Sequence, residues 1–340
     1  MQTKLVQFIR ETIRKKGPQS FVWFMEQALY HREHGYYSGG RAAIGRQGDY
    51  ITNVSVGPLF GQLLAAQFAE MWERLGKIDN FVIVEQGAHH GDFARDVLDA
   101  ARSRFPEFFS ALRYRIVEPF PPLQDRQSQT LSEFGDRVRW RRSLDELEPF
   151  VGLHFSNELL DAMPINLPGK LVGLDGDKFV FVEGPTDAPM NQAMLDWIDF
   201  LSTKLQRGFV IAIDYGFSRT EFREMLQVRA KHRRLDSPFE EIGEADITAH
   251  VNWTDVAERA KANGLRVAGF TDQHHFLTGL ISKFPELVEE EKSKRALQTL
   301  LHPEMLGRAF QVLVLSKDID PAGPLAGLKF GRDAGAALGL

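Results

Sequence analysis

The most constraining feature of this chain is a short apolar segment that runs directly into an acidic residue and a glycine-containing turn. Residues 81–84 (Phe-Val-Ile-Val) precede Glu85, and the turn that follows carries Gly87, His89 and Gly91. Glycine lets the backbone of such a turn approach a ligand, because a Cβ there would collide with it. The pattern is typical of α/β proteins that hold a nucleotide-like ligand, although His89 brings a side chain into the middle of the turn.

Strand-like and helix-like segments alternate along most of the chain, which predicts a parallel sheet covered by helices on both faces. Two further segments, residues 170–174 and 178–182, flank Asp175-Gly176-Asp177 and predict an inserted hairpin. An amphipathic helix is expected from about Met190. The candidate strands of the sheet are residues 81–84, 114–117, 138–140, 152–156, 209–213, 267–271 and 310–316.

The domain organisation follows from these elements. We expect an N-terminal helical segment with a pocket-covering loop over residues 1–76 and a core over residues 77–317. Insertions are expected at about residues 165–206 and 275–305, and residues 318–340 are predicted to form a tail draped over the surface.

Composition narrows the possible functions. The 340 residues carry a net charge of −5, with 41 basic and 46 acidic side chains, so no global charge favours nucleic acid or an anionic membrane. Cysteine is absent, which excludes disulfides, thiolate metal sites and a cysteine nucleophile. No apolar run approaches the ~18 residues of a membrane span. We therefore expect a cytoplasmic, bacterial enzyme that inserts into no membrane; the oligomeric state is not predicted.

Sequence motifs exclude several enzyme classes. The chain contains no G-x-S-x-G and no P-loop, which argues against serine hydrolases and kinase-like enzymes, and it lacks the clean G-x-G-x-x-G of a dinucleotide dehydrogenase. Paired histidines occur without H-E-x-x-H or a cluster of Asp and His, so no metal site is predicted.

Polar residues at the ends of predicted strands supply the site candidates. Glu118 follows residues 114–117, where nucleotide-binding α/β proteins place an acid on the ribose hydroxyls. Asn157, Glu158 and Asp161 follow residues 152–156 and are placed at the ligand crevice; alternatively, Asn157 caps a short helix. Because a histidine ordinarily titrates near neutrality, His250 is a candidate acid or base, with a purely structural histidine as the alternative.

These motifs together resemble the MidA family of S-adenosylmethionine-dependent methyltransferases, which includes a mitochondrial complex I assembly factor that methylates an arginine of a complex I subunit. The resemblance extends from about Ser20 to Leu315. Its most specific motifs are His34-Gly35-Tyr36-Tyr37, Gly48-Asp49-Tyr50-Ile51-Thr52, Asn157-Glu158-x-x-Asp161-Ala162-Met163-Pro164, Asp214-Tyr215-Gly216 and Asp246-Ile247-Thr248-Ala249-His250-Val251.

The resemblance implies a class I, Rossmann-like sheet of seven strands with S-adenosylmethionine as the cofactor and a protein, through an arginine side chain, as the substrate. It places the methionine end of the cofactor against the Gly87–Gly91 turn and the ribose on Glu118, with Glu85 and Asn157 as further cofactor-binding residues. Glu158 and Asp161 would hold the guanidinium and take up its proton. The segment with Gly48, Asp49 and Thr52 would close the cofactor pocket.

Two segments depart from the family pattern. The family has Glu-x-Gly-x-Gly-x-Gly at the cofactor turn, where this chain has His89 in place of the second glycine. The family also carries a Gly-Thr-Leu-x-x-Tyr-x-x-His segment after Asp-Tyr-Gly, where this chain has Leu226-Gln227-Val228-Arg229-Ala230-Lys231-His232. Two hypotheses therefore stand: a protein methyltransferase, or a catalytically weakened relative that serves as a binding or assembly module.

Overall fold

A computed structural model of the chain describes residues 3–39, 52–187, 189–221, 226–231, 233–289, 291–319 and 323–340. Gly48, Asp49 and His232 lie outside these residues. The helices are α1 (Lys4–Lys16), α2 (Phe21–Tyr30), α3 (Leu59–Arg74), α4 (Asp92–Arg104), α5 (Pro106–Ala111), α6 (Pro121–Thr130), α7 (Gln192–Lys204), α8 (Trp253–Ala262), α9 (Gln273–Lys283), α10 (Glu291–Leu301) and α11 (Ala334–Leu338).

The strands range from two to 13 residues in length. They are β1 (Gln19–Ser20), β2 (Phe81–Gln86), β3 (Leu112–Val117), β4 (Val138–Arg141), β5 (Phe150–Asn157), β6 (Lys170–Asp175), β7 (Lys178–Glu183), β8 (Leu205–Phe217), β9 (Leu226–Ala230), β10 (Arg233–Leu235), β11 (Asp246–Ala249), β12 (Val251–Asn252), β13 (Arg266–Asp272) and β14 (Phe310–Lys317).

The chain divides into two compact units. The large unit consists of Thr52–Leu159, Trp197–Phe222 and Val251–Leu340, and the small unit consists of Met1–Ile51, Leu160–Asp196 and Arg223–His250. These units differ from the predicted boundaries, because α3 belongs to the large unit and most of the expected insertion at residues 165–206 belongs to the small unit. Helix α7 begins in the small unit and continues into the large one.

The large unit is built around an eight-stranded sheet. Its strand order is β13-β14-β8-β5-β2-β3-β4, and the two-residue β12 pairs with β8. All seven predicted strands are present in this sheet, so the predicted Rossmann-like α/β fold is confirmed. The expectation of a wholly parallel sheet is wrong at one edge, where β14 runs antiparallel to both β8 and β13.

Side-chain alternation along the strands explains how the helices cover the sheet. Successive residues of a strand point to opposite faces. Phe155 therefore lies on the face covered by α3 and α4, where it stacks on Phe93 with ring centroids 4.4 Å apart. Its neighbour His154 points to the opposite face and meets Trp197 of α7 edge-on at 5.5 Å. Both faces of the sheet are thus buried, as a parallel sheet requires.

The C-terminal segment is packed into the large unit, so the predicted surface-draped tail is wrong. Leu325, Leu328 and Leu338 are buried. The backbone N–H groups of Ala326 and Gly327 donate hydrogen bonds to the buried side chains of Glu70 and Gln67 on α3. These apolar and polar contacts together stabilise the segment against α3.

The small unit contains α1, α2 and two three-stranded sheets, ordered β1-β6-β7 and β10-β9-β11. Ser20 caps α2, as its sequence predicts, by accepting a hydrogen bond from the N–H of Trp23. The predicted hairpin is confirmed as β6 and β7. A cluster of phenylalanines joins α2 to the hairpin and to residue 239, with Phe24 and Phe239 in edge contact at 5.3 Å.

No helix within the described ranges is long and apolar enough to cross a membrane.

Candidate functional site

The strand order predicts a ligand crevice at the carboxyl end of β2. From β2 the sheet continues through β3 to β4 on one side and through β5 to β8 on the other, so the order reverses at this strand. Ligands of open α/β sheets bind at such a reversal, outside the carboxyl ends of the strands. The Gly87–Gly91 turn follows β2, Glu118 follows β3, and Asn157 and Glu158 stand at the end of β5.

The turn after β2 uses the left-handed region of the backbone three times. Gly87 and Gly91 each have φ 84°, and His89 between them has φ 45°. The N–H of Gly91 donates to the carbonyl of Ala88 at 2.8 Å, which closes the turn before α4 begins. His89 therefore adopts the left-handed conformation that suits the missing glycine, at a cost of roughly 1–2 kcal/mol for a residue with a Cβ.

The ring of His89 stacks on that of His90, with centroids 3.7 Å apart. A guanidinium nitrogen of Arg126 on α6 lies 2.8 Å from Nε2 of His90. Burial and the neighbouring Arg126 charge lower the pKa of His90, so this ring is neutral and accepts the hydrogen bond at neutral pH. The side chain of His89, which replaces the second glycine of the family motif, is thus packed against His90.

Glu118 is buried beside this turn. Its carboxylate accepts hydrogen bonds from the N–H of Phe120 at 3.1 Å and from Nε2 of Gln127 at 3.0 Å. Burial raises the pKa of Glu118 to about 7, although both donors act in the opposite direction. A carboxylate has about four acceptor positions, so these two contacts leave capacity for ligand hydroxyls.

Glu85 points into the interior of the large unit. Its carboxyl accepts a hydrogen bond from the hydroxyl of Tyr114 on β3 at 2.8 Å. Burial raises the pKa of Glu85 to about 8, so it is mostly protonated at neutral pH. In this arrangement, the acid of the turn motif joins β2 to β3, and its predicted contact with a cofactor stays a prediction.

A row of side-chain amides leads to Glu158. Nε2 of Gln273 donates to Oδ1 of Asn53, Nδ2 of Asn53 donates to Oδ1 of Asn157, and Nδ2 of Asn157 donates to Oε1 of Glu158, each at 2.8 Å. Gln273 and Asn53 are completely buried. Each amide thereby fixes the orientation of the next, and the row ends on a carboxylate, which a donated hydrogen bond stabilises in its charged form.

The backbone at Glu158 is also held in an unusual conformation. Glu158 has φ 55°, and its N–H donates to the carbonyl of Ile213 at 2.9 Å. The carboxylate of Asp214 accepts from the N–H groups of Leu159 and Tyr215 at 3.0 and 2.8 Å. Asp214 therefore connects the end of β5 to β8. Non-glycine residues in the left-handed region, such as Glu158, concentrate at functional sites.

The remaining predicted residues have varied surroundings. Thr52 exchanges hydrogen bonds with Ser55 around a short 3₁₀ turn. Asp161 and His250 belong to the small unit, whereas Glu158 belongs to the large unit. The carbonyl of Asp161 accepts from the N–H of Ala249 at 2.8 Å. Burial and the nearby charge of Arg229 lower the pKa of His250, so its ring is neutral at neutral pH.

Sequence reasoning missed three buried amides at this site: Asn53, Gln127 and Gln273. Asn53 directly follows the Gly48–Thr52 motif, which was a usable signal. Gln127 and Gln273 lie in helices whose sequences do not distinguish a buried amide from an exposed one. Within the described ranges, no group of three or more His, Asp or Glu side chains is arranged to hold a metal.

The turn and Glu118 fit S-adenosylmethionine. Gly87 is exposed, and the nearest atom to a Cβ placed there would be Cδ1 of Leu159 at 3.6 Å, so the backbone of the turn is accessible to a ligand. Glu118 supplies acceptors suited to ribose hydroxyls. Gly87 and Glu118 are therefore the residues of this unit that would hold the cofactor, whereas the predicted contacts of His89 and Gly91 with it stay predictions.

Comparisons with known proteins agree with this geometry. Residues 63–171 and 186–271, more than half of the chain, match the family model described as "Putative S-adenosyl-L-methionine-dependent methyltransferase". A Burkholderia thailandensis protein bound to S-adenosyl-homocysteine is similar with a TM-score of 0.85 and 28% identity, covering 97% of this chain and 95% of that one.

Curated relatives are similar over nearly the same length. The mitochondrial protein arginine methyltransferase NDUFAF7 homolog of Drosophila melanogaster is 25% identical, over 92% of this chain and 84% of the relative. Human mitochondrial protein arginine methyltransferase NDUFAF7 is 24% identical, over 92% of this chain and 83% of the relative. With the family match, these findings support the predicted resemblance, and the chain belongs to the family of S-adenosyl-L-methionine-dependent methyltransferases.

Proposed function

We propose that this methyltransferase modifies a protein and that its acceptor is an arginine side chain. Two observations support the proposal. Two curated relatives that align with 92% of this chain, at 25% and 24% identity, are protein arginine methyltransferases. In the large unit, the residue directly after β5 is Glu158, a carboxylate whose orientation is fixed by the amide of Asn157. This oriented carboxylate is the structural observation that carries the proposal.

Methylation of an arginine requires the protein to align the acceptor nitrogen and to accept a proton. Bound S-adenosylmethionine supplies a methyl group on a positively charged sulfur, and the acceptor nitrogen must approach that methyl in line at about 3 Å. A guanidinium also has to lose one proton as its nitrogen gains the methyl group. Glu158 is suited to both tasks, because a carboxylate binds a guanidinium through charge-assisted hydrogen bonds and accepts its proton.

The left-handed conformation of His89, which a glycine at this position would also adopt, argues against a catalytically weakened binding module. Calorimetric titration with S-adenosylmethionine, with NAD as the control ligand, tests this. We expect binding of S-adenosylmethionine alone and its loss in Glu118→Ala. Absence of binding in the unaltered protein would favour the binding-module hypothesis and refute the enzyme.

The acceptor is tested by transfer of an isotopically labelled methyl group to cellular proteins, followed by mass spectrometric identification of the labelled residue. We expect the label on arginine, and we expect Glu158→Gln to bind S-adenosyl-homocysteine normally while transferring poorly. Label on lysine or on a carboxylate would refute the arginine acceptor but leave the methyltransferase intact.

Asp161 and His250 stay predicted catalytic residues. Asp161→Asn should leave binding of S-adenosyl-homocysteine intact and stop the transfer; equal activity would remove Asp161 from the catalytic residues. An acceptor among respiratory complex I subunits and a cytoplasmic location are further predictions, which identification of the labelled protein and cell fractionation would check.

A further inference from the structure

We propose that Gln127 is a positioning residue that holds the cofactor turn in its left-handed shape at His89 and joins this turn to the carboxylate of Glu118. The proposal rests on the cofactor of the family and on the predicted ribose role of Glu118. It does not depend on the nature of the acceptor.

Gln127 makes three hydrogen bonds with one amide group. Its Nε2 donates to the carbonyl of His89 at 2.8 Å and to Oε2 of Glu118 at 3.0 Å, and its Oε1 accepts from Nε1 of Trp140 at 2.9 Å. The side chain is completely buried. An indole N–H can only donate, so Trp140 determines which end of the amide is the oxygen and turns the nitrogen toward His89 and Glu118.

The turn needs such a contact because His89 is not glycine. A residue with a Cβ remains at φ 45° only when its surroundings stabilise that conformation. The hydrogen bond from Gln127 acts on the carbonyl of His89, directly after the unfavourable torsion. Stacking on His90 fixes the ring, whereas Gln127 fixes the backbone.

Helix α6 brings Gln127 into this position through a close approach to Gly91. A Cβ placed on Gly91 would lie 3.5 Å from the Cα of Gln127 and 3.3 Å from Cδ1 of Leu131. The glycine that ends the turn therefore faces the backbone of the helix that carries Gln127. One side chain can then reach both the turn after β2 and the acid after β3.

This arrangement should set the pH dependence of cofactor binding. A carboxylate accepts the ribose hydroxyls best when it is ionised, and Gln127 donates to that ionised form. The titratable or charged side chains on the elements around Glu118 include His89 and His90 on the turn, Arg126 on α6 and Arg141 on β4. A Glu118→Gln variant separates their contribution, because it keeps these four side chains and removes the carboxylate.

The test is calorimetric binding of S-adenosyl-homocysteine by the whole protein between pH 5.5 and 8.5. In Gln127→Leu we expect affinity to fall by about tenfold, as for the loss of one hydrogen bond to a charged group, and the pH midpoint of binding to rise. Gln129→Leu is the matched control, because Gln129 is an exposed residue of the same helix. Glu118→Gln should bind weakly with no midpoint near pH 7.

The contact with His89 is tested by a double-mutant cycle. Glycine takes the left-handed conformation without strain, so Gln127→Leu should reduce affinity less in a His89→Gly background than in the original protein. Equal losses in both backgrounds would overturn the role of Gln127 at the turn. Unchanged affinity and midpoint in Gln127→Leu would overturn the whole proposal.

A second variant covers the case in which Gln127→Leu does not fold. Gln127→Glu preserves the shape of the side chain and the acceptor for Trp140, but it places a second carboxyl beside Glu118. Because two adjacent carboxylates resist simultaneous ionisation, we expect the pH midpoint of S-adenosyl-homocysteine binding to rise. A midpoint equal to that of the original protein would contradict the proposed contact.

Discussion

Replacement of Glu85 by glutamine should make the stability of this protein less dependent on pH. Glu85 is a buried carboxyl that accepts a hydrogen bond from Tyr114. Glutamine has the same shape and supplies a carbonyl oxygen to the same hydroxyl, but it never becomes charged. The substitution therefore removes the titration of one buried group and leaves the surrounding packing in place.

The sign and size of the effect follow from the pKa of Glu85. Burial raises this pKa from 4.5 to about 8. In the pH range between these values, the folded protein holds a proton that the unfolded chain releases. The stabilisation is complete below the unfolded pKa and is lost as pH rises to the folded one, with a slope of about 1.4 kcal/mol per pH unit. From pH 6 to pH 7.5, Glu85 should thus lower the free energy of unfolding by about 2 kcal/mol.

Urea unfolding measured at half-unit steps from pH 6 to pH 8 checks this expectation. The slope of the free energy of unfolding against pH should be smaller in Glu85→Gln than in the original protein, by the equivalent of about one proton. Any cost of burying the glutamine amide is independent of pH and does not affect this comparison. Glu118→Gln is the matched control. Its pH slope of the free energy of unfolding should be smaller than that of the original protein mainly below pH 7, because burial raises the pKa of Glu118 to about 7. Identical slopes in Glu85→Gln and the original protein would refute the reasoning.

Two further substitutions test the sheet and the amide row. Gly208→Ala should prevent folding, because Gly208 has φ 144° and a Cβ there would lie 1.9 Å from the carbonyl oxygen of Gly152. Circular dichroism of this variant checks the expectation. Gly176→Ala is the comparison, because a Cβ on Gly176 would meet no atom within 4 Å. Asn53→Leu should reduce labelled-methyl transfer about tenfold, as expected for one lost hydrogen bond to a polar partner in a buried row. Its binding of S-adenosyl-homocysteine should stay unchanged, and undiminished transfer would show that the link from Asn53 to Asn157 does not position Glu158.

The strands of the central sheet could be predicted because their information is local. Each is an apolar run bounded by polar or turn residues, and a sheet buried on both faces requires such runs. The direction of a strand, in contrast, depends on its partners in the sheet and not on its own sequence alone. The sequence of β14 is compatible with either direction, and only its pairing with β8 and β13 makes it antiparallel.

The two compact units could not be predicted for a related reason. The hairpin of β6 and β7 was expected to be an insertion in the core, yet β6 pairs with Gln19 and Ser20 near the beginning of the chain. A pairing between segments this distant leaves no mark in the pattern of either. The C-terminal segment was mistaken for a surface tail because its glycines and prolines resemble linker, while its contacts with Gln67 and Glu70 depend on side chains elsewhere in the fold.

The cofactor turn shows the same limit at the level of one residue. From the motif alone, His89 in place of glycine looks like damage, because a motif describes only neighbours along the chain. The structure supplies what the motif lacks: a left-handed φ at His89 and a buried amide, 38 residues further along the chain, that donates to the carbonyl of His89. A substitution at a glycine of a ligand-binding turn is therefore evidence of lost function only when no such contact compensates for it. In this chain, the effect of His89 on the cofactor has to be judged together with Gln127.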